Sequence, residues 1–113
     1  VDRNSPDEVS NKLLSFLLRG GYSQLEYEVK AAAVQALGEM GKTLVIPELA
    51  KILGARSLLA FKSLNRLKLE IVRSFEKYPP DDVMPILQKI AKGSDEISKQ
   101  AAESIRNLRI RKT

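Results

Sequence analysis

Cysteine, histidine and tryptophan are absent from this chain of 113 residues, and its aromatic residues are three tyrosines and three phenylalanines. Without cysteine there is no disulfide, thiolate zinc site or thiol nucleophile, and without histidine there is no imidazole base or imidazole metal ligand. A serine or threonine nucleophile would need a lysine base in a shaped pocket, and no motif signals one. No apolar run approaches the roughly 18 residues of a membrane span. The longest, residues 13–18, is interrupted by Ser15. No signal-peptide pattern opens the chain, which starts at Val1 without a Met and so reads as a fragment or a processed form. Absence of cysteine does not itself place the compartment, and the cytoplasm is the default expectation.

What is present is ordinary for a globular chain: 43% apolar and 29% charged residues, enough for one domain with a modest core. The formal charge of +5 is uneven. Lys51, Arg56, Lys62, Arg66, Lys68, Arg73 and Lys77 face only Glu70 and Glu76 in the middle third, and Arg106, Arg109, Arg111 and Lys112 follow the last acid, Glu103. Such a balance favours an anionic partner, either an acidic protein surface or nucleic acid. The plain alternative is a solvated lysine-rich face.

Periodicity and punctuation predict helices throughout and no strand. Ser5, Pro6 and Glu8 open the first helix as a capping box with proline at the first position, Val9, Leu13, Phe16 and Leu17 form its apolar face, and Gly20-Gly21 ends it. The second helix runs from about Leu25 to Met40, buries Val29, Ala33, Ala36 and Leu37, and stops at Gly41. Thr43 caps a third over residues 44–53, with Pro47 in its first turn and Gly54 after it. Residues 55–77 hold neither glycine nor proline, and Tyr78-Pro79-Pro80 breaks the chain. Asp81-Asp82 starts the next helix and Gly93 ends it. Ser94 caps the last, which runs to about Leu108 and leaves 110–113 as a basic tail, and removal of 108–113 is expected to leave the fold almost intact.

The pattern recurs. Leu67, Ile71, Ser74 and Phe75 repeat Val29, Ala33, Ala36 and Leu37 after 38 residues, and Ile97, Ala101, Ser104 and Ile105 repeat it 30 residues later. Val83-Met84-Pro85-Ile86 likewise follows Val45-Ile46-Pro47-Glu48 by 38 residues, so two segments share one offset. Helix pairs that cannot bury an apolar face alone, recurring at this period, indicate a stack.

The residues Glu28-Val29-Lys30, Ala33, Ala36-Leu37-Gly38 and Met40-Gly41, followed by Ile46-Pro47, Leu49 and Leu53, resemble the HEAT repeat. The short bacterial and archaeal type, also found in phycobilin-lyase-related proteins, is the nearest in kind. The second copy departs with Ile71 and Phe75, and the third has Ser98 where a basic residue is usual. The resemblance spans about residues 9–108. It implies an all-α, right-handed α–α superhelix of three helix pairs (about 5–41, 42–79 and 80–109) in a single domain over 1–113. It implies too that the second helix of each pair lines the concave side, and that Lys30 and Lys68, with Glu28 and Asp95, belong to a structural acid–base ladder.

Asp81-Asp82 and Asp95-Glu96 are paired carboxylates, but both sit at helix starts, where capping explains them better than acid–base or metal chemistry. Gly20-Gly21 lacks a phosphate-loop context. Tyr22, Tyr27 and Tyr78 fall at helix junctions, where such rings plug packing with the hydroxyl in water. The residues 55–66 are an insert. Val45 and Leu67 lie 22 apart, against 14 for the equivalent pair Val83 and Ile97. The insert's Leu58, Leu59, Phe61 and Leu64 either close the local core or anchor a partner. The expected function is a non-enzymatic protein-interaction scaffold, with no cofactor, metal, membrane or small-molecule substrate. The partner-binding candidates are Arg56, Leu58, Phe61, Lys62, Arg66, Arg73, Arg106 and Arg109. Nucleic-acid binding through the middle repeat and the basic tail is the alternative. It is disfavoured by the alternating signs Gln35, Arg73, Glu103 and by the few aromatics available for base stacking.

Overall fold

The computed structural model describes residues 8–18, 24–57 and 60–112. Among them are six α-helices and no strand: α1 (Glu8–Leu18), α2 (Gln24–Met40), α3 (Ile46–Leu53), α4 (Phe61–Ser74), α5 (Pro80–Ala91) and α6 (Glu96–Lys112). Short 3-10 turns precede α3 (Thr43–Val45) and follow α4 (Phe75–Lys77). The expectations for Ser5, Pro6, Gly20-Gly21, Tyr22, Leu58 and Leu59 lie outside the described residues.

The helix ends follow from local chemistry, with two corrections. Gly41 ends α2 at φ 64°, a conformation open to glycine and costly for residues with a Cβ. Pro47 lies in the first turn of α3 and Pro80 starts α5, where a missing N–H breaks no helical bond. Thr43 does not cap α3. The chain first makes a 3-10 turn there, and neither Lys42 nor Val45 supplies a side-chain cap. Asp95, not Ser94, caps α6: its Oδ1 accepts the Ser98 backbone N–H and the Ser98 hydroxyl, each at 2.8 Å.

Helices α2, α4 and α6 lie side by side, with α4 packed against both of the others, while α1 packs on α2, α3 on α4 and α5 on α6. The result is a slab of 41 × 38 × 17 Å, a thickness that fits two helix layers about 10 Å apart. One core joins all six helices: Leu17, Leu37, Leu49, Leu67, Ile71, Leu87, Ile105 and Leu108 are among its members. At the α2–α4 crossing Gly38 lets the backbones close in, since a Cβ there would lie 3.7 Å from the Ser74 Cβ and 3.1 Å from Lys77 Cδ.

The equivalent positions do not all share one fate. Ala33, Ile71 and Ala101 are buried, as are Leu37, Phe75 and Ile105, in agreement with the repeat spacing. Val29, however, is 48% exposed where its counterpart Leu67 is 1% exposed, and Val9 is exposed on α1. Lys30 and Val34 take the buried side of α2 instead. The basic tail is also not a tail. α6 continues to Lys112, Leu108 is 1% exposed inside the core, and Arg111 donates to the Glu76 carbonyl. Leu108 extends the Ala101–Ile105 stripe by one more turn, so the helix has a buried reason to continue.

Candidate functional site

The described part of the insert is irregular at 55–57 and helical from Phe61. Its consequence is a length mismatch. α4 begins six residues before Leu67, whereas α6 begins one residue before the equivalent Ile97. The extra five residues extend α4 about 7 Å beyond the start of α6. Positions 61 and 65 of this overhang, and 69 one turn further on, share a side with the buried Val72. Phe61 is 55% exposed and Asn65 is exposed, while Leu69 is partly buried.

A groove of about 330 Å³ opens there, lined by Phe61, Lys62, Asn65, Arg66, Leu69 and Glu96. It adjoins a second hollow of about 250 Å³ lined by Asn65, Lys68, Leu69, Asp95, Glu96 and Ile97. Arg66 is held by stacking, its guanidinium carbon 4.5 Å from the centre of the Tyr27 ring. Lys68 is tied differently: its Nζ donates to the Ala55 carbonyl at 2.6 Å. Burial pushes the Lys68 ammonium below its ordinary value, and the nearby charge of Arg56 pushes the same way against Asp95. The Asp95 carboxyl is held below the usual carboxylate range by the Ser98 N–H, then by the Ser98 hydroxyl, with Lys68 adding to both. Lys30 is 1% exposed, and its burial lowers its pKa against the opposing charge of Glu26. Lys30, Lys68 and Ser98 are equivalent positions, and all three are engaged inside the protein.

The structure thus gathers Phe61, Lys62 and Arg66 into one groove, with Arg56 beside the Lys68 end of it. Arg73, Arg106 and Arg109 are not part of it. Arg73 donates to Gln100 at 3.1 Å and pairs with Glu70, Arg106 pairs with Glu103, and Arg109 is exposed near the end of α6. The exposed surface of the α2–α4–α6 row is tied together by similar links: Lys77 to Glu39, and Ser104 and Asn107 to Glu76. Its cations therefore sit beside acids rather than forming a track.

Asn65 and Leu69 escaped the sequence reasoning, and Glu96 was weighed there only as one of two carboxylates at a helix start. Leu69 carried a signal, being apolar but out of phase with Leu64, Leu67 and Ile71 on the same helix. Asn65 carried none. Tyr78 corrects another expectation. Its ring is buried edge-on to Phe75, and among the described residues its hydroxyl has no hydrogen-bond partner. Burial raises its pKa well above the ordinary phenol value. The hydroxyl is thus dry rather than in water.

No family model, no curated protein and no solved structure matches the chain. The site is therefore read from its own geometry. Among the described residues no helix is long and apolar enough to cross a membrane, and no three acidic side chains converge as a metal cluster would.

Proposed function

We propose that the chain is a right-handed stack of three HEAT-like helix pairs acting as a non-enzymatic scaffold, and that it holds a partner protein in the groove beside the α4 overhang. The row of α2, α4 and α6 and the shared offsets of their apolar positions support the stack. Phe61 carries the functional reading: a large aromatic side chain, 55% exposed, on a groove flanked by Lys62 and Arg66. An exposed aromatic ring beside a concavity is the kind of group that supplies most of the energy of an interface. The two cations select an acidic segment. An apolar side chain of the partner packs on Phe61 and Leu69 while its carboxylates meet Lys62 and Arg66. Glu96 on the far wall repels acids there, which fixes the segment's orientation.

Protein is preferred to nucleic acid because a phosphate track needs a run of cations, and Arg73, Lys77 and Arg106 each sit against an acid. The test is Phe61→Glu, compared with wild type by affinity capture with and without nuclease and by thermal melting. The exposed position predicts a stability change within about 0.5 kcal/mol. Loss of a nuclease-resistant partner at an unchanged melting temperature supports the groove. A partner retained by the variant, or one released by nuclease, rejects it.

A further inference from the structure

The three equivalent helices of the row are covered unequally, and the difference lies at the two ends. In the interior, the side of α4 that meets α2 carries Leu67 at 1% and Ser74 at 5% exposure, and the corresponding Ser104 of α6 is fully buried. The same positions on α2 are Val29, 48% exposed, and Ala36, partly buried, with Ala32 exposed between them. The opposite side behaves in mirror fashion. Val34 and Val72 are fully buried beneath the next helix, while the equivalent Ala102 on α6 is exposed. Both open edges have the positions through which α2, α4 and α6 already pack on one another.

Their charges are opposite. The open edge of α2 is flanked by the exposed acids Glu28 and Glu39, of which Glu39 already pairs with Lys77. The open edge of α6 carries exposed Lys99, Arg106 and Arg109, of which Arg106 already pairs with Glu103, so the contact would exchange these exposed pairs for one between copies. An interior contact shows how they would meet. Glu76 on α4 reaches Ser104 and Asn107 on α6 at 2.8 and 3.2 Å. One repeat further on, the residue equivalent to Glu76 is Arg106, and those equivalent to Ser104 and Asn107 are Ala36 and Glu39. A cation thus replaces the reaching acid, and an acid stands where it would land.

We propose that the occupant of the α2 edge is a second copy of this chain, docked head to tail through its α6 edge, with Val29, Ala32 and Ala36 of one copy on Ala102 of the other and Glu39 facing Arg106. This shares the repeat-stack reading with the function proposed above, but uses neither the overhang groove nor Phe61. The edge is open to neither a like copy in mirror orientation nor an acidic ligand, because two α2 edges would set Glu28 and Glu39 against themselves. Such a contact is heterologous, so it does not close on itself at two subunits and grows with concentration.

Sedimentation velocity of the full chain, from micromolar to millimolar concentration, reads this out. The expected result is a sedimentation coefficient that rises with concentration and falls back as salt is raised. Ala32→Arg and Ala102→Glu alter exposed positions, so both should melt as wild type does, and each alone should be monomeric. Mixed together they should form a dimer and nothing larger, because each variant retains the edge that the other has lost. A wild-type chain that is monomeric throughout overturns the proposal. So does Ala102→Glu alone forming a dimer, which would mean that two α2 edges pair. Phe61→Glu should self-associate as wild type does, so failure of the groove and failure of this contact are separate results.

Discussion

The outer edges of α2 and α6 occupy the two ends of one helical row, yet they are built differently. The α2 edge presents Val29, Ala32 and Ala36, an apolar stripe with acids beside it. The α6 edge presents Ala102 among Lys99, Arg106 and Arg109, with Glu103 and the 65% exposed Ile110 beside them. The comparison separates two influences that a repeat sequence mixes together. The apolar positions are set by the repeat, whereas burial is set by whether a neighbour is there.

The largest effect expected tests the α6 end. Truncation before Leu108 removes a core side chain with the last helical turn and should cost about 2–5 kcal/mol or more, read by urea unfolding. A truncated chain as stable as wild type would return the segment to being a dispensable tail. Next, Leu67→Ala should cost about 2–5 kcal/mol, while Val29→Ala at the equivalent position should stay within about 1 kcal/mol. Equal costs would mean that the α2 edge is covered. The smallest effect concerns the start of α6, where Asp95→Ala should cost about 0.5–2 kcal/mol at neutral pH. The pH dependence has a definite sign. The folded-state pKa of Asp95 lies below its unfolded value, so its contribution is full above the ordinary carboxylate range. It fades as pH falls through the lowered folded value, and wild type and variant should converge in acid. A gap that persists in acid would assign the effect to something other than the carboxylate.

Much of the helical order was legible because glycine and proline act locally. Gly41, Gly54 and the Pro79-Pro80 pair stop or start helices whatever surrounds them. The equivalence of Ala33, Ile71 and Ala101 was legible for the same reason, since spacing alone puts them on one face. Val29 was misread because a residue at the end of a row has the same spacing as one in its middle. Phe61 could be read either way until the overhang of α4 past α6 was known, a relation between two helices that neither segment encodes. The Ser94 and Asp95 ambiguity was one residue wide, and only the bond to Ser98 decides it. Tyr78 carries no sign in its own segment that Phe75 and the core would enclose its hydroxyl. The groove shows the same limit: Phe61, Lys62 and Arg66 are near neighbours in sequence, but Glu96 joins them only through packing.

The side-by-side placement of α2 and α4 underlies every statement about the two edges, and the absence of cysteine allows a direct test of it. A Cβ on Gly38 would lie 3.7 Å from the Ser74 Cβ, within the span that a disulfide bridges. The double variant Gly38→Cys with Ser74→Cys, oxidised at low concentration, should form one intramolecular disulfide. That product should show no titratable thiol, migrate as a monomer on a non-reducing gel and retain the helical circular dichroism of wild type. Two free thiols that persist under oxidation, in a chain that remains folded, would contradict the packing of α2 against α4 and the comparison built on it.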